Sequence, residues 1–84
     1  MAQVTTTSEA LKQLEALPSE IVARMMKLYE RLENWPQVSG AKPLTGSLAG
    51  RWRLRTGDYR VQFRVEGDRV IVEKVGHRDR FYER

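Results

Sequence analysis

The chain has 84 residues, of which 40% are hydrophobic, and it carries a net charge of +4. This length predicts one domain, spanning residues 1–84, and the apolar fraction is too high for a disordered polar chain. The absence of cysteine and the presence of one histidine exclude disulfides, thiolate metal sites and histidine-rich metal sites. No apolar run is long enough for a signal peptide or a membrane span. We therefore expect a cytoplasmic protein with no metal, no cofactor and no membrane partner.

The N-terminal part predicts a short strand followed by two helices. Residues 2–7, AQVTTT, are β-prone and could form an edge strand. Ser8 is expected to cap a first helix, and Ser19 a second helix over residues 20–34. The apolar side chains of the second helix recur with helical period until Pro36 ends it. Two helices joined at a Pro-Ser corner predict an antiparallel hairpin whose apolar stripes belong to the core.

The second part of the chain predicts a loop and then strands. Residues 36–50, PQVSGAKPLTGSLAG, contain three glycines and two prolines, which is typical of a loop. Beyond it, Gly57–Asp58 and Gly67–Asp68 stand between alternating runs as two-residue hairpin turns. We therefore expect an α+β fold in which an N-terminal helical hairpin packs on a small twisted antiparallel sheet.

Five arginines alternate with apolar residues on the two strands of the first hairpin. We name their side of the sheet the arginine face; its members are Arg51, Arg53, Arg55, Arg60 and Arg64. The turn predicts that Arg55 lies opposite Arg60 and Arg51 opposite Arg64, at a cost of roughly 0.2–1 kcal/mol for each like-charged pair. Bound phosphates would relieve this repulsion, so the set predicts an anion-binding surface. In the alternative interpretation, each arginine stem covers apolar surface and its head lies in water.

The second turn predicts the register of the third strand. Gln62 is expected opposite Glu73 and Arg60 opposite Val75, which would let Glu73 partly neutralise the arginine face. The strand would end at Gly76, beside the end of the face that the first turn closes. We expect the following segment, GHRDRFY, to bring three more side chains to that end: His77, Arg78 and Tyr82.

This constellation suits the cleavage of RNA without a metal, because the 2′-hydroxyl of RNA can itself attack the adjacent phosphate. Arginines can position the backbone and stabilise charge on the phosphoryl oxygens, but they keep their protons and cannot act as a base. His77 could act as acid or base near pH 7, or hold only a structural hydrogen bond. Tyr82 could stack on a base or donate a proton.

Two segments, KPLTGSLAGRWRLRTGDYRVQFRV and VIVEKVGHRDRFY, resemble the most recognisable parts of the RelE/ParE superfamily of toxins. The KPLTGSLAGRW lead-in is similar to that of the YoeB branch. The resemblance implies a RelE-like fold and a bacterial or phage toxin that cuts mRNA in the ribosomal A site. It also implies a cognate antitoxin that holds the toxin inactive, with the ribosome and mRNA as its other partners.

The resemblance also implies roles for single residues. Arg60 matches the family's transition-state stabiliser. Together with the arginine face, the resemblance gives as catalytic candidates Arg53, Arg60, His77, Arg78 and Tyr82, and as RNA-binding candidates Arg51, Arg55 and Arg64. No acidic residue lies between Asn34 and Gly57, so a glutamate base from the intervening loop is excluded. Arg53 stands where some relatives have lysine, and this difference shifts the base role toward His77 or water.

Two other functions fit the same resemblance. A ParE-like toxin would poison DNA gyrase by binding and would have no nuclease activity. An inactive relative would bind an antitoxin without turnover. In each case a disordered acidic antitoxin segment that folds across the arginine face would complement the +4 charge.

Overall fold

A helical hairpin packs on one side of a five-stranded sheet in the computed structural model, which describes residues 1–81. The helices are α1 (Ser8–Glu15), α2 (Ser19–Leu32) and a short α3 (Arg78–Phe81). The strands are β1 (Gln3–Thr6), β2 (Lys42–Pro43), β3 (Arg51–Thr56), β4 (Tyr59–Glu66) and β5 (Arg69–His77). The predicted α+β class is confirmed. Within residues 1–81, no helix has the length and apolar character needed to span a membrane.

The sheet has the strand order β1-β5-β4-β3-β2. Strands β3, β4 and β5 form the predicted antiparallel meander, and β1 is the predicted edge strand. The sheet is mixed and not purely antiparallel, because β1 runs parallel to β5 and pairs Val4 with Val70. A parallel pair is never joined by a tight turn, so this contact leaves no local turn signal in the sequence.

The first hairpin turn needs glycine at its first central position. Gly57 has a φ of +57°, a left-handed value that side chains with a Cβ rarely adopt. The turn pairs Thr56 with Tyr59 and fixes the register of both strands. The register predicted from it for β3 and β4 is confirmed at every pair.

The two predicted serine caps are wrong by one position. Thr7 caps α1, and its side-chain oxygen accepts a hydrogen bond from the Ala10 amide at 3.1 Å. Thr7 is extended because its amide still donates to the Val72 carbonyl of β5, so the strand leads directly into the cap. Helix α2 includes Ser19 and has no side-chain cap.

The core lies between the two helices and the meander. Helix α2 contributes Met25, Leu28 and Leu32, which are almost completely buried. They meet the apolar side of the sheet, whose buried members include Leu54, Val61, Phe63, Val70, Val72 and Val75. This burial determines the orientation of the meander: apolar side chains face the helices, and the alternating polar side chains project from the other side.

The predicted loop over residues 36–50 contains regular structure. Strand β2 pairs with β3, with Lys42 opposite Arg53 and Pro43 opposite Trp52. A single 3₁₀ turn, Gly46–Leu48, follows. A two-residue strand is too short to show an alternation of apolar and polar residues, so the composition of the segment predicted only a loop.

Candidate functional site

The arginine face exists as predicted. The register pairs Arg51 with Arg64, Arg53 with Gln62 and Arg55 with Arg60. The intervening residues Leu54 and Val61 are 2% and 0% exposed and belong to the core, so the arginines project from the opposite side of the sheet. The first hairpin therefore places five guanidinium groups on one surface.

A carboxylate of the protein neutralises one end of this face. Glu73 Oε1 accepts from Arg51 Nε at 2.7 Å, and Glu73 Oε2 accepts from Arg64 Nη1 at 2.6 Å. Glu66 adds a second contact, from Arg64 Nε to Oε2 at 3.0 Å. The expected relief of the Arg51–Arg64 repulsion is therefore supplied by Glu73, and no bound phosphate is needed at this pair. We name this region the Glu73 end: Arg51, Arg64, Glu66 and Glu73.

The titration of these groups reflects the same contacts. Burial acts to raise the pKa of the Glu73 carboxyl, but the hydrogen bonds and charges of Arg51 and Arg64 outweigh it, so this pKa lies below its ordinary value. Hydrogen bonds to Glu66 and to Glu73 raise the pKa of the Arg64 guanidinium. The Glu73 side chain is only 16% exposed. It is therefore a charged bridge at neutral pH, partly shielded from solvent.

A β-bulge explains how Glu73 reaches both arginines. The ladder runs regularly from Glu66 to Phe63, which lies opposite Val72, and then shifts by one residue. Glu73 is the extra residue, Lys74 lies opposite Gln62, and Gly76 lies opposite Arg60. The predicted pairs of Gln62 with Glu73 and of Arg60 with Val75 are therefore wrong.

The bulge also reverses the expected orientation of His77. This residue lies opposite Tyr59, and their rings meet edge to face with centroids 5.1 Å apart. Tyr59 alternates with Arg60 along β4 and packs against the core. The imidazole therefore lies on the helix side of the sheet, and the expectation that it converges with Arg53 and Arg60 is wrong.

His77 instead caps the short helix α3. Its Nδ1 accepts from the Asp79 amide at 3.1 Å, and Asp79 Oδ2 lies 3.5 Å from the same nitrogen. A nitrogen that accepts this bond carries no proton, so the neutral ring holds its proton on Nε2. In this tautomer Nε2 is a donor and not a base. The contacts agree with the structural alternative for His77.

The chain after β5 returns to the arginine face. The Arg78 amide donates to the Asp58 carbonyl at 2.7 Å, which attaches α3 to the first turn. Arg78 is exposed, and its Nε lies 3.8 Å from Asp58 Oδ1 and 3.7 Å from Asp79 Oδ1. Arg78 thus lies beside the end of the face where Arg55 and Arg60 meet. Tyr82 lies outside the described residues.

Phe81 covers the strand position next to Arg60. Its ring is almost completely buried, and its Cδ1 lies 3.9 Å from the point where a Cβ on Gly76 would project. Lys74 fixes this arrangement, because its Nζ donates to the Phe81 carbonyl and lies 4.8 Å from the centre of the Phe81 ring. Helix α3 therefore packs on the arginine face of the sheet.

Two lysines that the sequence interpretation missed also lie on the arginine face. Lys42 lies opposite Arg53, and Lys74 lies opposite Gln62, so both share the side of the arginines. We name the resulting cluster near the first turn the turn end: Lys42, Arg53, Arg55, Arg60 and Lys74. Cross-strand neighbours on one face have Cβ atoms about 4.5–5.5 Å apart, so these cations form a dense positive surface. Within residues 1–81, no group of histidine, cysteine, aspartate and glutamate side chains could hold a metal ion.

Comparisons with known proteins agree with this fold. A family model described as the ParE toxin of a type II toxin–antitoxin system, parDE, matches residues 4–82. Toxin RelG of Mycobacterium tuberculosis is 33% identical over 84 residues, which cover 96% of this chain and 95% of RelG. This chain belongs to the RelE/ParE toxin superfamily. The resemblance found in the sequence is confirmed, and the chain is a toxin of the type II toxin–antitoxin class.

Solved structures of this superfamily share the fold of the toxin. The toxin–antitoxin complex RelBE2 from Mycobacterium tuberculosis contains a chain with a TM-score of 0.81 and 29% identity, covering 92% of this toxin and 98% of that chain. The isolated E. coli RelE toxin has a TM-score of 0.76 and 18% identity, covering 92% and 84% of the two chains. The second similarity concerns the fold alone.

Proposed function

We propose that this toxin is a metal-independent endoribonuclease that cuts mRNA in the ribosomal A site. The observation that carries the proposal is the turn end, where five cations on four neighbouring strands form one surface next to Arg78. Such a surface suits a phosphate backbone, and the fork of arginine suits phosphoryl oxygens in particular. The relationship to the RelE toxins supports RNA as the polyanion.

In the proposed reaction, the RNA supplies its own nucleophile. The 2′-oxygen forms a bond to the adjacent phosphorus, the bond from phosphorus to the 5′-oxygen breaks, and a 2′,3′-cyclic phosphate and a 5′-hydroxyl result. Arg53 and Arg55 hold flanking phosphates, while Arg60 and Arg78 stabilise the charge on the phosphoryl oxygens. No metal ion is needed to generate the nucleophile.

Two proton transfers remain to be assigned. A base must take the proton of the 2′-hydroxyl, and an acid must give one to the 5′-oxygen. Arginine can do neither, and the tautomer of His77 and its position on the helix side argue against it. The transfers therefore fall to Tyr82, water or groups of the ribosome. This division of labour accounts for a ribosome-dependent enzyme of only 84 residues.

A cognate antitoxin is the second part of the proposal. Structures similar to this toxin include toxin–antitoxin complexes from Mycobacterium tuberculosis and Pyrococcus horikoshii. The dense cations of the turn end would attract an acidic antitoxin segment, which would compete with RNA for the same surface. The antitoxin would then act by covering the phosphate-binding residues.

The test uses ribosomes that carry a defined mRNA with an empty A site, and it maps the ends of the mRNA after the toxin is added. We expect one cut in the A-site codon, with a cyclic phosphate on the upstream fragment. Arg60→Ala should slow the cut at least 100-fold. The control Lys27→Ala, at an exposed position of α2, removes the same charge from the helix side and should change the rate less than twofold. Intact mRNA with the wild-type toxin would contradict the proposal.

Poisoning of DNA gyrase is a second candidate, and two observations favour it. The matching family model is that of the ParE toxin, and His77 does not join the arginine face. A gyrase poison needs a binding surface but no acid or base. Purified gyrase with supercoiled plasmid DNA separates the two functions: trapped double-strand breaks with intact mRNA would favour the poison. An inactive antitoxin-binding relative would affect neither substrate.

A further inference from the structure

Glu73 binds two of the five guanidinium groups that the first hairpin presents. The carboxylate lies 2.7 Å from Arg51 Nε and 2.6 Å from Arg64 Nη1, and its side chain is 16% exposed. Both arginines are about one-third exposed, so they remain within reach of solvent and of a large polyanion. A phosphate that approaches either guanidinium must compete with a carboxylate already in hydrogen-bonding contact.

The contacts of Glu73 reduce the number of arginines on this face that can bind RNA phosphates strongly. Affinity for a nucleic acid depends on how many phosphates the protein neutralises, and each contact adds to the salt dependence. If all five arginines were equally available, the face would bind any single-stranded RNA along its whole length. Because Glu73 holds Arg51 and Arg64, these two guanidinium groups contribute less to phosphate binding than their charge alone would give. The negative charge of Glu73 also repels a phosphate chain that extends toward the Glu73 end.

We infer that Glu73 is a specificity-determining residue that restrains binding to free RNA and thereby favours RNA presented by the ribosome. The inference rests on the proposed function. Its structural basis is the β-bulge: as the extra residue of β5, Glu73 has no partner in β4, and its carboxylate reaches across to β3. A regular ladder would place this carboxylate opposite Gln62, at the turn end, where it would oppose the proposed phosphate contacts.

The test measures the affinity for a short single-stranded RNA, such as a twelve-residue oligouridylate, from 50 to 200 mM salt without ribosomes. Glu73→Gln keeps the size of the side chain and removes its charge. Release of two guanidinium groups should steepen the plot of log affinity against log salt by about 1.4, because each phosphate contact to a single strand contributes about 0.7. The affinity gain over the wild type should then fall about sevenfold across this salt range.

Three further variants distinguish the proposed restraint of RNA binding by Glu73 from a structural effect of the substitution. Glu66→Gln removes only one contact of Arg64, so the slope of its salt plot should change by at most about 0.7. This variant keeps the inference testable if Glu73→Gln fails to fold. Glu30→Gln, at an exposed position of α2, makes the same charge change on the helix side and should leave the slope unchanged. Replacing Arg51 and Arg64 by glutamine as well as Glu73 should return the slope to that of the wild type.

The outcomes distinguish this inference from the proposed function. A slope for Glu73→Gln equal to that of the wild type, or no greater than that of Glu30→Gln, would overturn the inference while RNA binding by the wild type stands. Cleavage of mRNA on ribosomes tests the proposed function separately: intact mRNA there would contradict it, whatever Glu73→Gln does to the binding of free RNA. If neither the wild type nor Glu73→Gln binds the RNA at 50 mM salt, the inference is overturned, whereas binding that appears only in Glu73→Gln would support it.

Discussion

The two ends of the arginine face each contain a pair of facing arginines, but one end is neutralised by carboxylates and the other is strongly positive. At each end, one arginine of β3 lies directly across from one of β4: Arg51 with Arg64, and Arg55 with Arg60. At the Glu73 end, a carboxylate bridges the pair. At the turn end, further cations and Arg78 gather around the pair. A count of charges in the sequence therefore gives the total charge of a surface but not where that charge is available to a ligand.

The comparison is tested most strongly by removing one arginine from each end. Arg60→Ala should lower the rate of A-site mRNA cleavage about 10²–10³-fold, the usual effect of losing a donor to developing charge. Arg64→Ala should lower it less than tenfold, because that guanidinium is already held by Glu66 and Glu73. Single-turnover cleavage on programmed ribosomes measures both rates. Equal losses would show that the two ends do not differ in function.

The carboxylates at the Glu73 end should differ in their effect on stability. Glu73→Ala breaks three charged hydrogen bonds and leaves Arg51 opposite Arg64, so we expect a loss of about 1–3 kcal/mol in the free energy of unfolding. Glu66→Ala removes an exposed contact and should cost less than about 1 kcal/mol. Urea denaturation at pH 7 measures both. A Glu73→Ala loss no greater than that of Glu66→Ala would show that the bridge contributes little to folding.

The stabilising effect of Glu73 should depend on pH in a defined direction. Its pKa is lowered in the folded state, so its contribution is complete above the ordinary glutamate value of about 4.3 and is lost as the pH falls through the folded value. The difference in unfolding free energy between wild type and Glu73→Gln should be constant from pH 7 to about pH 5 and should shrink below about pH 4. Urea denaturation at each pH tests this. A difference that grows toward low pH would contradict the assigned bridge.

His77 should show the smallest effect on catalysis. His77→Asn keeps a side chain that accepts well at a helix N-cap, so the Asp79 amide retains a partner. We expect the cleavage rate to stay within about threefold of the wild type. The free energy of unfolding should change little, because the hydrogen bond to the Asp79 amide is retained. A loss of 100-fold or more in the cleavage rate would mean that the imidazole transfers a proton during cleavage, although it lies on the helix side of the sheet.

The sequence predicted those parts of the fold that depend on local chemistry. Gly57–Asp58 fixed the first hairpin because a two-residue turn leaves one possible register, and the alternation of residues then assigned the sides of the sheet. The same reasoning failed along β5, because neither Glu73 nor its neighbours Val72 and Lys74 are glycine or carry another sequence signal of an extra residue. One inserted residue moved His77 to the other side of the sheet.

The candidate site was only partly predictable for the same reason. Arg53, Arg55 and Arg60 lie on one short-range hairpin, so their common face followed from the turn. Lys42 joins them through a two-residue strand that pairs only in the folded sheet, and Lys74 joins them through the bulge. Contacts that depend on tertiary structure leave no periodic pattern in the sequence.

The most direct test of the account is an NMR titration that follows the Nε–H signals of the arginine side chains as a non-cleavable RNA oligonucleotide is added. The account predicts that Arg53, Arg55 and Arg60 shift at the lowest RNA concentrations, while Arg51 and Arg64 keep the signals that their contacts with Glu73 give them. Early shifts at Arg51 and Arg64, with the turn end unchanged, would contradict it.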